Sequence, residues 1–232
     1  LILESPLTLP INWQNPWWAI IMGIEHERIH LETSSVLIRQ HDLSYVKNHP
    51  AWQPCVQTSQ APSNALVAIP AGKVSLGKAK DNAFYGWDNE YGQHHAEIAP
   101  FAASRYLVSN QEFLAFVQAQ GYQQADYWTE EGLAWRNFSS ATHPTFWRKK
   151  DNTWFLRLMT QEVPMCWDWP VEVNHHEAAA FCQWLSQQQG KTIRLPTEDE
   201  WQHLYQHSGL EHPQVQQACN ANLHLDYYAS SC

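Results

Sequence analysis

Within Glu25-His26-Glu27-Arg28-Ile29-His30-Leu31-Glu32 two histidines stand four positions apart in a segment of strong helical character. On a helix, positions i and i+4 share a face and lie about 6 Å apart along the axis. Two imidazoles so placed can grip one metal ion. The same eight residues satisfy two patterns. In H-E-x-x-H, Glu27 would be the general base of a hydrolytic zinc site; in H-x-x-x-H-x-E, the pair would hold ferrous iron with Glu32 nearby. Either needs a third protein ligand before a metal is fixed with an open position. The next histidines, His41 and His49, carry no zinc-protease spacing, and no glycine stands where that pattern requires one. Local spacing does not choose between the two chemistries, and a chain with 13 histidines also yields such pairs by chance.

The element that must position the pair is a single helix over residues 15–41. Asn15-Pro16 supplies a cap followed by proline at the first helical position, and only Gly23 interrupts the run. Trp18, Ile21, Met22, Ile29, Val36 and Leu37 form an apolar stripe, which predicts that one face is buried and carries the histidines with it. A helix of that length suits a helical bundle whose metal ligands face inward. From Lys47 to Asn64 the composition turns to Pro, Gln, Ser and Asn, the mark of an interdomain linker.

A second unit opens at Ala65 with a strand, a Pro-Gly-bearing turn at Pro70-Ala71-Gly72 and a second strand, followed by strand-like pieces from Ala96 to Val108. Three capping boxes then announce helices: Ser109 with Glu112, Asn174 with Glu177, and Thr197 with Glu200. Gly121 and Gly190 stand where left-handed C-terminal caps would end the first two. Residues 122–172, rich in Trp and Pro, show no period and read as one long irregular region.

A net charge of −9 argues against nucleic acid and anionic membranes as partners, since both reward clustered Lys and Arg. The 13 tryptophans read first as core. Cys55, Cys166, Cys182, Cys219 and Cys232 are scattered and never form C-x-x-C, which points to neither a zinc knuckle nor a disulfide framework and suits a reducing cytoplasm. The longest apolar run, Trp17 to Ile24, is too short to span a membrane, and the start lacks the features of a signal peptide. Leu1 in place of Met and the ending Ala229-Ser230-Ser231-Cys232 read as the cut ends of a fragment.

Residues 64–207 resemble the formylglycine-generating-enzyme or sulfatase-modifying-factor domain. The resemblance is carried by Ile69-Pro70-Ala71-Gly72, Trp87-Asp88-Asn89-Glu90, Asn110-Gln111-Glu112-Phe113, Pro170-Val171 leading to Glu177-Ala178, and above all Arg194-Leu195-Pro196-Thr197-Glu198-Asp199-Glu200-Trp201. Residues 1–46 resemble the end of a DinB-like helical bundle bearing H-x-x-x-H-x-E. That domain order is similar to the sulfoxide synthases of thiol-histidine biosynthesis. Asn15-Pro16-Trp17-Trp18 and Gly23 to Thr33 look most like the ovothiol branch, which forms 5-histidylcysteine sulfoxide, with the hercynine-dependent ergothioneine branch second.

The resemblance implies an α+β chain: the end of a DinB-like bundle (1–47), a linker (48–63), and an incomplete C-type-lectin-like formylglycine-generating-enzyme domain (64–232). It implies a non-haem enzyme that uses iron(II), Fe(2+), and O2 to join the sulfur of cysteine to the imidazole of histidine. His26 and His30 would be two of three histidine ligands, the third lying outside this chain, and no tyrosine here matches the catalytic one. Glu32, two positions past the second ligand, would orient an imidazole through its other N–H. Asp88, Asn89 and Glu90 read as loop-building residues, and His94-His95 and His175-His176 as surface or cap residues. A non-catalytic lectin-like binding module and a zinc protease are the other readings.

Overall fold

The computed structural model describes residues 4, 6–50, 54 and 58–209. The expectations attached to Leu1, Cys55, Cys219, the ending 229–232 and part of the linker therefore lie outside the described residues.

Helix α1 runs Pro16–Gln40, within one residue of expectation at each end. The Asn15 side chain accepts the Trp17 N–H at 2.9 Å, and Pro16 takes a position where no N–H is needed. The helix stops at His41, whose extended backbone (ψ 154°) breaks the repeat. Asp42 then caps the next short turn by accepting the Ser44 N–H at 2.8 Å. The expected burial of one face is not found. No residue of α1 is buried, and every residue from His26 to Ser34 is exposed. Ile29 and Leu37, counted in the apolar stripe, are 49% and 53% exposed. The helix is gripped at its two ends instead of along a stripe.

In the second unit, β1 (Leu66–Ile69) and β2 (Gly72–Leu76) do not pair with each other. Strand β1 pairs antiparallel with β4 (Phe101–Ser104), and β2 with β3 (His94–Ile98). The partners Leu66↔Ser104, Ile69↔Phe101, Gly72↔Ile98 and Leu76↔His94 keep one register throughout. The two ladders are thus one long hairpin, interrupted where Pro70 and Pro100 offer no N–H to the ladder.

Each capping box opens its helix as expected: α2 (Asn110–Gln118), α4 (His175–Gln189) and α5 (Glu198–Ser208). The stretch 122–172 is more regular than its sequence suggests. It contains α3 (Glu130–Ser139), capped by Thr129, and a meander of β5 (Trp147–Lys150), β6 (Thr153–Arg157) and β7 (Glu162–Pro164). Asp151 and Asn152 turn the first hairpin with φ of 46° and 66°, the left-handed pair that a two-residue turn demands.

Helix α2 divides the core. Phe113 and Phe116 join Tyr122, Trp128, Ala180, Phe181 and Trp184 of the α4 side. Leu114 faces Trp147, Leu156, Leu158, Met165, Cys166 and Trp169 of the meander side. Phe113 and Phe181 stack at 5.3 Å, and truncating a buried Phe of this kind costs about 3–5 kcal/mol. Among the described residues no helix is long and apolar enough to cross a membrane.

Candidate functional site

His26 and His30 lie where the spacing places them, on one face of α1, with ring centroids 4.4 Å apart and planes at 78°. Both are exposed. Beside them Arg28 reaches Glu25 at 3.0 Å. The pair presents two nitrogen donors close enough to share one ion. Among the described residues no group of three His, Cys, Asp or Glu completes a ligand set. The donors present thus fit two positions of a ferrous or zinc site, and neither the oxidative nor the hydrolytic pattern is more complete than the other. Glu32 is exposed, and among the described residues no hydrogen bond or ion pair joins it to either ring. Its carbonyl accepts the Ser35 hydroxyl at 2.7 Å.

The segments flanking the pair hold it. On the N-terminal side Trp13 stacks on Trp18 at 5.0 Å, Trp18 meets Tyr85 at 5.6 Å, and Tyr85 meets Trp87 at 6.1 Å. This aromatic row joins the helix to the loop of the second unit. Burial there, reinforced by Glu90, Glu25 and Asp88, pushes the Tyr85 hydroxyl above the usual phenol range. On the C-terminal side Arg39 donates from Nε to the Arg157 carbonyl at 3.0 Å and pairs with Glu172 at 2.7 Å. Its guanidinium sits 3.7 Å above the Phe146 ring. Arg39, Phe146 and Glu172, with Ser35, Asn110, Trp147 and Trp169, border a crevice of about 410 Å³ between α1 and the second unit.

The motif residues of the second unit mostly build its frame. Glu90 accepts the Trp87 N–H at 3.1 Å, the loop-building role expected of that segment. Asn110, fully buried, donates to the Cys166 carbonyl at 2.8 Å and accepts from the Trp147 indole at 3.3 Å. Arg194 forks onto Glu200 at 2.8 and 2.7 Å, which drops the Glu200 carboxyl to about 2. Of Trp167-Asp168-Trp169, Trp169 is buried in the core, and Asp168 accepts both the N–H and hydroxyl of Ser59 at 2.7 and 2.8 Å. His94 meets Asp199 at the surface, and His176 stacks on Trp135 beside the cap of α4.

Sequence reasoning missed Arg39, Arg157, Phe146 and Glu172 as a set. The one local sign was a basic residue in the last turn of the helix, which reads equally as a complement to the helix dipole.

The family profile described as Sulfatase-modifying factor enzyme 1-like domain matches residues 53–213. The chain is 30% identical over 205 residues to a protein named hercynine oxygenase from Mycolicibacterium smegmatis, covering 86% of this chain and 44% of that one. It is 23% identical over 218 residues to ergothioneine biosynthesis protein 1 of Neurospora crassa, covering 81% of this chain and 24% of that one. It is 27% identical over 166 residues to the inactive C-alpha-formylglycine-generating enzyme 2 of Mus musculus, covering 64% and 49%. The chain spans less than half the length of each of these relatives. A match over 86% of 232 residues is longer than residues 53–232, so the first likeness reaches upstream of the family profile toward the histidine helix.

Proposed function

The chain belongs to the family of sulfatase-modifying factor enzyme 1-like domains, and on that premise we propose that the complete protein is a sulfoxide synthase joining a cysteine-type thiol to the imidazole of a histidine derivative. The single observation that carries this reading is the His26–His30 pair on a chain whose likeness to a hercynine oxygenase extends beyond the family domain. The names of the relatives favour hercynine, the trimethylated histidine, as substrate. This reverses the order suggested by the Asn15–Trp18 and Gly23–Thr33 segments, where the ovothiol branch and unmodified histidine stood first.

In this reading His26 and His30 supply two neutral imidazole donors, and the rest of the ligand set comes from beyond the described residues. Iron(II), when bound, would supply the activation of O2. Two imidazole donors would leave such a site cationic, which would favour the thiolate form of a substrate thiol held there. Glu32 would orient one imidazole through its second N–H, its side chain swinging toward the ring to do so. The second unit provides the rigid wall across the crevice, braced by Asn110, Trp147 and Trp169.

The inactive mouse relative favours a second reading, a binding module without catalysis. One experiment separates them. The complete protein is incubated with iron(II), O2, cysteine and either hercynine or histidine, and products are read by mass spectrometry. A sulfoxide-bridged product from hercynine is expected. Product from histidine alone returns the protein to the ovothiol branch, and no product together with no bound iron establishes the binding module.

A further inference from the structure

No side chain from His26 to Ser34 is buried, so the place of the histidine face is set by what grips the flanks of α1. The C-terminal grip is reciprocal. Arg39, on the helix, donates from Nε to the carbonyl of Arg157 on β6 at 3.0 Å. Arg157 in turn donates from its guanidinium to the carbonyl of His41, the residue that ends the helix, at 3.4 Å. Each arginine closes on the backbone of the other's segment. Arg39 is fixed further by Glu172 and by the face of Phe146. Arg157 is 1% exposed and anchors to the carbonyls of Leu158 and Met159.

A buried guanidinium is costly to desolvate, so one spent on carbonyls must hold something in place. Only arginine has donors in a rigid planar fork, which lets one side chain fix both distance and rotation. Arg39 lies nine residues beyond His30, about 13 Å along the helix axis, too far to touch a ligand of the histidines.

We propose that Arg39 and Arg157 are positioning residues whose crossed clamp fixes the height and rotation of α1 on the β5–β7 meander, and through it where the His26–His30 face stands against the second unit. The clamp stands on geometry, whereas its effect on turnover rests on the proposed function. Displacing reacting groups by about 1 Å is enough to lose roughly 100-fold in rate.

The test uses the complete protein with Arg39→Met and Arg39→Lys. In Arg39→Met, kcat is expected to fall roughly 10- to 100-fold, while KM and the affinity for iron(II) each stay within about 3-fold, less than the roughly 10- to 100-fold that loss of a residue orienting a metal ligand causes. Arg39→Lys should recover part of kcat, because an ammonium keeps the Glu172 pair and the Phe146 face but not the bond to the Arg157 carbonyl. Independently of activity, amide hydrogen exchange over residues 35–42 should quicken in Arg39→Met and stay at the wild-type level in His26→Ala. Unchanged exchange in Arg39→Met overturns the clamp. Equal losses of kcat and iron affinity, or no loss of kcat, overturn the positioning role. If Arg39→Met fails to fold, Glu172→Gln is read in its place, with the same split expected at smaller amplitude. Absence of turnover in the wild-type protein sinks the proposed function and leaves the exchange arm to decide the clamp.

Discussion

Tyr122 donates its hydroxyl to Oε1 of Glu177 across 2.5 Å, while Oε2 of the same carboxylate accepts the Asn174 N–H at 2.9 Å. One buried side chain thereby closes the cap of α4 and ties that helix to the chain leaving α2. Burial pushes the Glu177 carboxyl up, against the pull of the Tyr122 hydrogen bond, and burial beside Glu177 pushes the Tyr122 hydroxyl up as well. Tyr122→Phe strands Oε1 in the core and should cost about 1–3 kcal/mol in urea unfolding, the penalty for an unsatisfied buried acceptor. Glu177→Gln should cost less, because the amide can keep both partners by accepting from Asn174 and donating to the phenol oxygen. Equal stabilities for Tyr122→Phe and wild type would show that the bond carries no weight.

Glu200 gives a prediction in pH. Its carboxyl sits at about 2 against an ordinary 4.5, held down first by the Arg194 fork and then by the Thr197 N–H. A carboxyl depressed in the folded state stabilises fully above its unfolded value. The contribution fades as pH falls from about 5 toward 2. Stability of wild type and Glu200→Gln, followed by urea unfolding from pH 7 to pH 2, should therefore converge over that window. Parallel curves across it would remove Glu200 from the account. The pair is partly open to solvent, so the convergence should be modest and should shrink in high salt.

The capping boxes at Ser109, Asn174 and Thr197 were legible because a cap and its Glu lie three residues apart, within one turn. The histidine pair was legible for the same reason. The meander from Trp147 to Pro164 was not, although Asp151-Asn152 carried a two-residue turn signal, because its strands are three to five residues long and crowded with Trp, Arg and Lys. The stripe from Trp18 to Leu37 predicted burial that the described residues do not supply, since periodicity reports a face's preference and not its partner. The Arg39–Arg157 clamp joins segments far apart in sequence, and no local pattern encodes it.

Gly121 was expected to take the left-handed C-terminal position of α2. That conformation falls to Gln120 instead, at φ 58°. Gly121 is required for a different reason: a Cβ there would stand 2.1 Å from the Phe116 ring, which is fully buried and cannot swing away. Gly121→Ala should cost about 1–3 kcal/mol by overpacking. Gly190→Ala, at φ 61° with nothing within 4 Å of the added carbon, should cost roughly 1–2 kcal/mol through backbone strain alone. A double-mutant cycle separates the causes. Phe116→Leu should offset part of the Gly121→Ala penalty and none of the Gly190→Ala penalty, and equal coupling to both would exclude the steric account.

The exposed setting of His26 and His30 makes their test unusually clean. Neither ring is buried among the described residues, so in this 232-residue chain without metal replacing either by alanine should shift stability by no more than about 0.5 kcal/mol. A loss of metal in the complete protein then cannot be blamed on unfolding of this chain's own helix. In the complete protein, His26→Ala and His30→Ala should each remove most of the bound iron(II) and with it the activity, because one imidazole cannot replace a pair placed 4.4 Å apart. Glu27→Ala, which alters the same turn without touching either ring, should keep wild-type iron. Glu32→Gln should be milder, lowering iron affinity or activity roughly 10- to 100-fold if it orients an imidazole. Elemental analysis of the four purified variants decides the matter: wild-type iron in both histidine variants would show that the ion is held elsewhere. Iron lost from Glu27→Ala as well would mean that the helix, and not the pair, is what the metal requires.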